Sequence, residues 1–235
     1  MELKYDRKDY KLDQIDPHWA DRQMVEFIGN GKKVLEIGCA TGYIGKFLKE
    51  KRNCVLWAVE LEQHAAEMAR PFYENIFVGD VQSDNFFKGI HEKFDVILCS
   101  NVLEHLTDPL GTILRLKHSL SKKGFFIIAL PNVAHWSVRL NLLLGRFDYT
   151  KTGILDDSHL KFFTLKTARK FLQDSGLKID NWGFDWDNGI PKFNGLLNRI
   201  PIFGQKFLKF FYSISPEFFG YQFIFKASVV DEFQK

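Results

Sequence analysis

Short, continuous apolar runs alternate along this chain with stretches in which apolar residues return at helical spacing. The runs fall at 33–37, 55–60, 76–78, 95–100 and 124–130, and helical patterns occupy 43–50, 63–70 and 109–120. Strands apolar throughout, interleaved with amphipathic helices, predict a parallel sheet covered on both faces. Ahead of the first strand, Trp19, Met24, Val25, Phe27 and Ile28 fall near helical spacing and Gly29-Asn30-Gly31 supplies a stop, so a lead-in helix is expected. Phe86, Phe87 and Ile90 predict a short helix within 84–93. Beyond Pro131 the rhythm changes to a Leu- and aromatic-rich segment reaching Phe147 and then a polar turn at 148–158. Thr164 reads as the cap of a helix at 165–174 that Gly176 ends, and strands are expected at 177–184 and 221–228. The expected fold is α/β: a doubly wound, mostly parallel sheet of seven strands in one domain spanning 1–235, with helical insertions after strand five (133–163) and between strands six and seven (188–219).

Composition narrows the class without naming a function. The chain is 46% hydrophobic and 26% charged, the balance of a folded globular protein, and its net charge of +3 is too small to mark a nucleic-acid footprint. Cys39, Cys54 and Cys99 are odd in number and show neither a CxxC pair nor a zinc-type spacing. Reduced thiols in the cytoplasm, and no metal site, are therefore expected. The first ten residues are densely charged, and no run approaches the roughly 18 apolar residues of a spanning helix, so neither export by a signal peptide nor a membrane span is expected.

Candidate chemistry gathers at the carboxyl ends of the expected strands, where an open parallel sheet exposes the amides of its turns. Gly38, Ala40 and Gly42 are small enough to let the backbone approach a ligand, with Cys39 and Tyr43 completing the turn. Glu36 precedes the turn; a pyrophosphate would disfavour that charge, whereas the ammonium of an amino-acid-like ligand suits it, directly or through water. A tight turn without any ligand is the plain alternative. Glu60, followed by Leu61, ends the second strand at the distance where an acid meets ribose hydroxyls. Gly79-Asp80-Val81 closes the third, where Asp80 could accept from an adenine amine and Val81 flank the ring. The plain alternatives are a solvated charge and an ordinary Asp turn.

Taken in order, Glu36-x-Gly38-x-Ala40-x-Gly42, Glu60, Gly79-Asp80 and Ser100-Asn101-Val102-Leu103-Glu104-His105-Leu106 resemble the class I S-adenosylmethionine-dependent methyltransferases. The resemblance implies a Rossmann-like fold with residues 1–30 leading into a cofactor-binding core at 31–132. It also implies S-adenosylmethionine as cofactor and S-adenosylhomocysteine as product. Glu36, Gly38, Cys39, Ala40, Gly42 and Tyr43 would hold the methionine moiety, Glu60 and Leu61 the ribose, and Gly79, Asp80 and Val81 the adenine. Ser100 and Asn101 would complete the wall. Ala40 stands where a glycine is common. Segments 130–136, 140–147 and 159–164 further resemble the methionine-biosynthesis-W-like and ubiquinone-biosynthesis-like groups, which makes 133–163 and 188–219 the acceptor-side insertions.

The acceptor is less legible. His105 is a candidate general base or acceptor contact, or a residue packing its loop. His159, beside Asp156 and Asp157, is a second candidate, and His135 with Trp136 could line the pocket. Relatives acting on nucleic-acid base amines often carry Asn-Pro-Pro-Tyr where this chain has Ser100-Asn101-Val102-Leu103, so a small-molecule acceptor at oxygen is expected and nucleic acid is not. Phe203, Phe207, Phe210 and Phe211, interleaved with Lys206 and Lys209, suggest a helix that packs as a lid, covers an apolar acceptor or touches a membrane surface. The rival functions are a non-catalytic or partner-dependent cofactor-binding protein of the same fold and, against the broken G-x-G-x-x-G, an NAD-dependent oxidoreductase.

Overall fold

The structure, a computed structural model, describes Leu12, residues 19–185 and residues 214–230. Its seven strands are β1 (Lys33–Ile37), β2 (Val55–Glu60), β3 (Asn75–Val78), β4 (Phe94–Ser100), β5 (Leu120–Pro131), β6 (Leu177–Asp185) and β7 (Gln222–Val229). They form one sheet in the order β3-β2-β1-β4-β5-β7-β6. The first five pair in parallel, and β7 runs antiparallel between β5 and β6.

Alternation along the strands assigns the two faces. Val34, Leu56, Ala58, Val96, Leu98, Ile127 and Ala129 point to one side, where they meet α1 (Ala20–Ile28), α2 (Tyr43–Arg52) and α3 (Gln63–Ala69). Leu35, Ile37, Ile97, Cys99, Phe126 and Ile128 point to the other and meet α4 (Asp84–Gly89), α5 (Pro109–Leu116) and, after α6 (Trp136–Leu143), α7 (Leu165–Asp174). Because β1, β4 and β5 are covered on both faces, their apolar residues are continuous rather than alternating.

The expected elements are present with shifted ends. The helix expected at 63–70 stops at Ala69 and tightens into a 3-10 turn over Arg70–Phe72, since Pro71 has no N–H to continue it. The helix expected at 109–120 likewise ends at Leu116 before a 3-10 turn at Lys117–Ser119, and β5 then begins at Leu120, earlier than the apolar run suggested. Thr164 caps α7 as expected: its hydroxyl accepts from the Thr167 amide at 3.2 Å while its own amide donates to the Thr167 hydroxyl at 2.8 Å. The first insertion contains α6. Most of the second, including Phe203, Phe207, Phe210 and Phe211, lies outside the described residues, which resume before α8 (Pro216–Phe219). No helix among the described residues is long and apolar enough to cross a membrane.

Strand order reverses between β1 and β4. The turns leaving the carboxyl ends of these strands diverge to opposite faces and open a crevice between them, where an open α/β sheet binds its ligands.

Candidate active site

The turn from β1 into α2 is held from three sides. The Gly38 amide donates to the Val59 carbonyl at 2.8 Å, and the Gly42 amide to the Cys39 carbonyl at 2.9 Å. The Ala40 amide donates to Glu60 Oε2 at 2.8 Å. Gly38 has φ +73°, and a Cβ there would lie 2.5 Å from the Val102 Cγ2 atom, so the loops after β1 and β4 touch through the missing side chain. Ala40 adopts φ 47°, a left-handed conformation that a side chain tolerates at a cost of about 1 kcal/mol. Cys39 sends its thiol into the core at 1% exposure, and burial pushes that thiol far up; only its main chain is available to a ligand.

At the end of β2, Glu60 is 9% exposed, which removes the reading of a solvated strand-end charge. Its second oxygen accepts from the Glu62 amide at 3.0 Å, so one carboxylate staples two loops together. Leu61 beside it is 73% exposed. At the end of β3, the Gly79 amide donates to the Glu60 carbonyl at 2.9 Å. Asp80 is exposed and accepts from the Gln82 amide at 2.8 Å, while Val81 is buried. Gln82 Oε1 then accepts from Thr107 Oγ1 and the Asp108 amide, each at 2.9 Å, tying this loop to the one after β4.

Glu36 sits behind the turn rather than in it. It is 2% exposed and accepts from Tyr73 Oη at 2.6 Å. Tyr73 reaches it across Gly45, where a Cβ would lie 2.1 Å from the phenol oxygen. Burial raises the Glu36 acid from 4.5 to about 8, with Tyr73 opposing and Asp21 and Glu60 adding to the shift. The folded chain therefore holds a proton that the unfolded chain releases near 4.5. Stability from this group is full below that pH and is lost as pH rises through about 8. Glu36→Gln is expected to flatten the fall of the melting temperature across that window. An unaltered slope would assign the pH dependence to other groups.

Beyond Ser100, which is half-buried, Asn101 turns the chain at φ 52°. Its Oδ1 and Thr41 Oγ1 in the β1 turn are buried with no hydrogen-bond partner among the described residues. Sequence reasoning missed Thr41, because a hydroxyl in a small-residue turn carries no pattern. Glu104 lies within the motif after β4, where sequence alone assigns it no role. It is 1% exposed, and its carboxylate oxygens lack a partner of full hydrogen-bond geometry among the described residues. Burial pushes this acid up to about 8, countered in part by its own amide. His105 and His159 stack edge to face beside it with ring centroids 4.6 Å apart. The Leu160 and Lys161 amides donate to the Glu104 carbonyl at 2.8 and 3.0 Å, which docks the first insertion onto the β4 loop. Asp156 Oδ1 accepts from the Ser158 amide and hydroxyl, and the His159 ring is set by Nδ1 at 3.0 Å from the Ile154 carbonyl. His135 is fully buried, caps α6 and is pushed down to about 4 by burial.

A family model described as a methyltransferase domain matches residues 15–181. The chain belongs to the methyltransferase domain family. Over 111 aligned positions the chain is 32% identical to the ubiquinone biosynthesis O-methyltransferase of Glaesserella parasuis serovar 5 (strain SH0165), spanning 43% of this chain and 46% of that relative. Over 132 aligned positions it is 29% identical to the tRNA U34 carboxymethyltransferase of Trichodesmium erythraeum (strain IMS101), spanning 52% of this chain and 36% of the relative. Both matches thus span less than half of the relative's length. The fold superposes on a SAM dependent methyltransferase from Archaeoglobus fulgidus with a TM-score of 0.59 at 16% identity, covering 88% of this chain and 90% of that one. The Rossmann-like class I architecture expected from the motifs is the one observed.

The crevice fits S-adenosylmethionine. Thr41 Oγ1 can donate to a carboxylate and Asn101 Oδ1 accept from an ammonium, which would satisfy the two buried atoms that lack partners. Glu60 and Asp80 add acceptors at the ends of β2 and β3.

Proposed function

We propose that this chain transfers a methyl group from S-adenosylmethionine to an oxygen of a small-molecule acceptor, in the cytoplasm. One observation carries the reading: the loop after β4 holds Asn101 with its unsatisfied Oδ1 and, three and four residues on, Glu104 and His105, against which the first insertion docks with His159. Donor-binding and acceptor-facing groups therefore share one short, pinned segment.

In this reading Thr41 and Asn101 hold the methionine carboxylate and ammonium, Glu60 accepts from the ribose hydroxyls, and Asp80 accepts from the adenine amine with Val81 beside the ring. The sulfonium supplies an electrophilic methyl. The chain's task is then alignment and exclusion of water. His105 and His159 orient the acceptor hydroxyl. As its oxygen lone pair forms the new C–O bond, the C–S bonding pair stays on sulfur, giving S-adenosylhomocysteine, and the hydroxyl proton leaves to solvent. The 32% identical O-methyltransferase supports oxygen as the acceptor atom.

Calorimetry with S-adenosylhomocysteine tests the donor, and transfer of a labelled methyl to a panel of phenols and hydroxylated metabolites, with bulk tRNA and rRNA alongside, tests the acceptor. Label entering RNA alone would overturn the small-molecule reading. His105→Ala is expected to lower turnover about 100-fold while leaving S-adenosylhomocysteine affinity within about twofold. An unchanged rate removes His105 from the acceptor side.

A further inference from the structure

The sequence shows no metal-ligand spacing, yet the fold brings Glu104, His105 and His159 together so that one ligand atom from each lies within 4.8 Å of the others. We propose that these three side chains form a site for a divalent first-row transition metal, such as Mn2+ or Zn2+, at the acceptor side of the crevice.

Three features distinguish the cluster from an ordinary buried ion pair. His159 Nε2 stands 3.9 Å from Glu104 Oε1, too far for a hydrogen bond and wide enough for an ion to bridge. His159 Nδ1 faces the Ile154 carbonyl at 3.0 Å, which selects the Nδ1–H tautomer and leaves the lone pair on the nitrogen nearer Glu104. A backbone carbonyl orienting the far nitrogen is the usual support of a metal-binding histidine. The third feature is Glu104 itself, a 1% exposed acid whose oxygens lack full-geometry partners among the described residues. A charged carboxylate buried in that state costs several kcal/mol, which either a proton or a coordinated cation relieves.

The donor set names the class of ion. Two imidazoles and one carboxylate suit a borderline transition metal; Mg2+ and Ca2+ prefer oxygen throughout. Ligand atoms on one such ion sit about 3–4 Å apart, so each side chain need close by only about half an ångström. The main-chain bonds from Leu160 and Lys161 to the Glu104 carbonyl hold the two contributing segments in register for that closure.

Three protein ligands leave positions open for an acceptor oxygen. A cation there would lower the pKa of a bound hydroxyl, so that its proton leaves to solvent at neutral pH before the C–O bond forms. The role of the ion rests on the methyl-transfer reading; its binding does not.

The test uses the full chain, stripped with chelator, dialysed and titrated calorimetrically with Mn2+ or Zn2+, with metal content measured by mass spectrometry and S-adenosylhomocysteine titrated in parallel. One equivalent per chain is expected, with a raised melting temperature. Glu104→Gln and His159→Ala should each weaken uptake at least about 100-fold. His105→Ala, at a half-buried position, gives a gentler third variant. Retained S-adenosylhomocysteine binding shows that a variant is folded. Absence of uptake by the parent chain, or uptake that folded Glu104 and His105 variants retain in full, overturns the site. Metal binding without S-adenosylhomocysteine binding would leave the site standing and overturn the donor assignment; the reverse result does the opposite.

Discussion

Glu60→Ala is expected to weaken S-adenosylhomocysteine binding by about two orders of magnitude, the largest effect on affinity of any single side chain in the crevice. The carboxylate has two tasks. It accepts from the Ala40 amide at 2.8 Å and the Glu62 amide at 3.0 Å, and in the proposed complex it also meets the ribose hydroxyls. Charge-assisted hydrogen bonds contribute about 1.5–3 kcal/mol each, so losing the ribose pair accounts for about 3 kcal/mol, or about 100-fold. Loosening of the β1 turn adds to this, because Ala40 sits at φ 47° and the Glu60 bond helps to hold it there. Glu60→Gln separates the tasks. An amide oxygen can still serve one loop N–H, so stability should recover more than affinity. If Glu60→Ala binds the ligand as tightly as the parent chain, Glu60 is a loop staple and the ribose lies elsewhere.

How far the fold could be read in advance depended on which interactions leave a periodic trace. Strands buried on both faces are continuously apolar, so β1, β2, β4 and β5 stand out. Thr164 capping α7 is local chemistry and was equally plain. Helix ends were misplaced where a proline or a change to 3-10 geometry intervened, at Pro71 and at Lys117–Ser119, because apolar spacing continues through a turn whose hydrogen bonds do not. The candidate site divided in the same way. Glu60 and Asp80 were visible because strand ends are visible. Glu36 looked like a ligand contact from its position before the turn, yet Tyr73, 37 residues away in sequence, fixes it behind the turn. Glu104 is a 1% exposed acid beside His105 and His159, but in sequence it is one carboxylate between a leucine and a histidine. Its importance comes from the docking of the first insertion onto its carbonyl, a long-range contact that no spacing encodes.

That division also explains why the donor is easier to name than the acceptor. In the proposed reading the donor groups lie at the ends of the first four strands, in turns pinned by bonds between neighbouring strands. Acceptor groups depend on the insertions, where similarity thins: the relatives that match the chain include one named for ubiquinone and one for tRNA. A shared sheet does not choose between such substrates.

The contact between the two central loops makes a prediction whose sign depends on background. In the parent chain Gly38→Ala is expected to cost about 2–4 kcal/mol of stability and most of the affinity for S-adenosylhomocysteine. About 1–2 kcal/mol comes from placing a Cβ at φ +73° and the rest from its 2.5 Å approach to Val102 Cγ2. Val102 is β-branched and stiff at χ1, so it cannot easily swing aside, and relief requires the β1 and β4 loops to separate. Val102→Ala alone removes half-buried methyl groups and should destabilise by about 1 kcal/mol. On top of Gly38→Ala the same truncation removes the clash and should stabilise, recovering roughly half the loss while the backbone strain remains. Urea unfolding of the four proteins measures this reversal. Additive effects would show that the loops do not bear on one another through this contact. The reversal, accompanied by partial return of affinity, would show that the width of the crevice is set where Gly38 meets Val102.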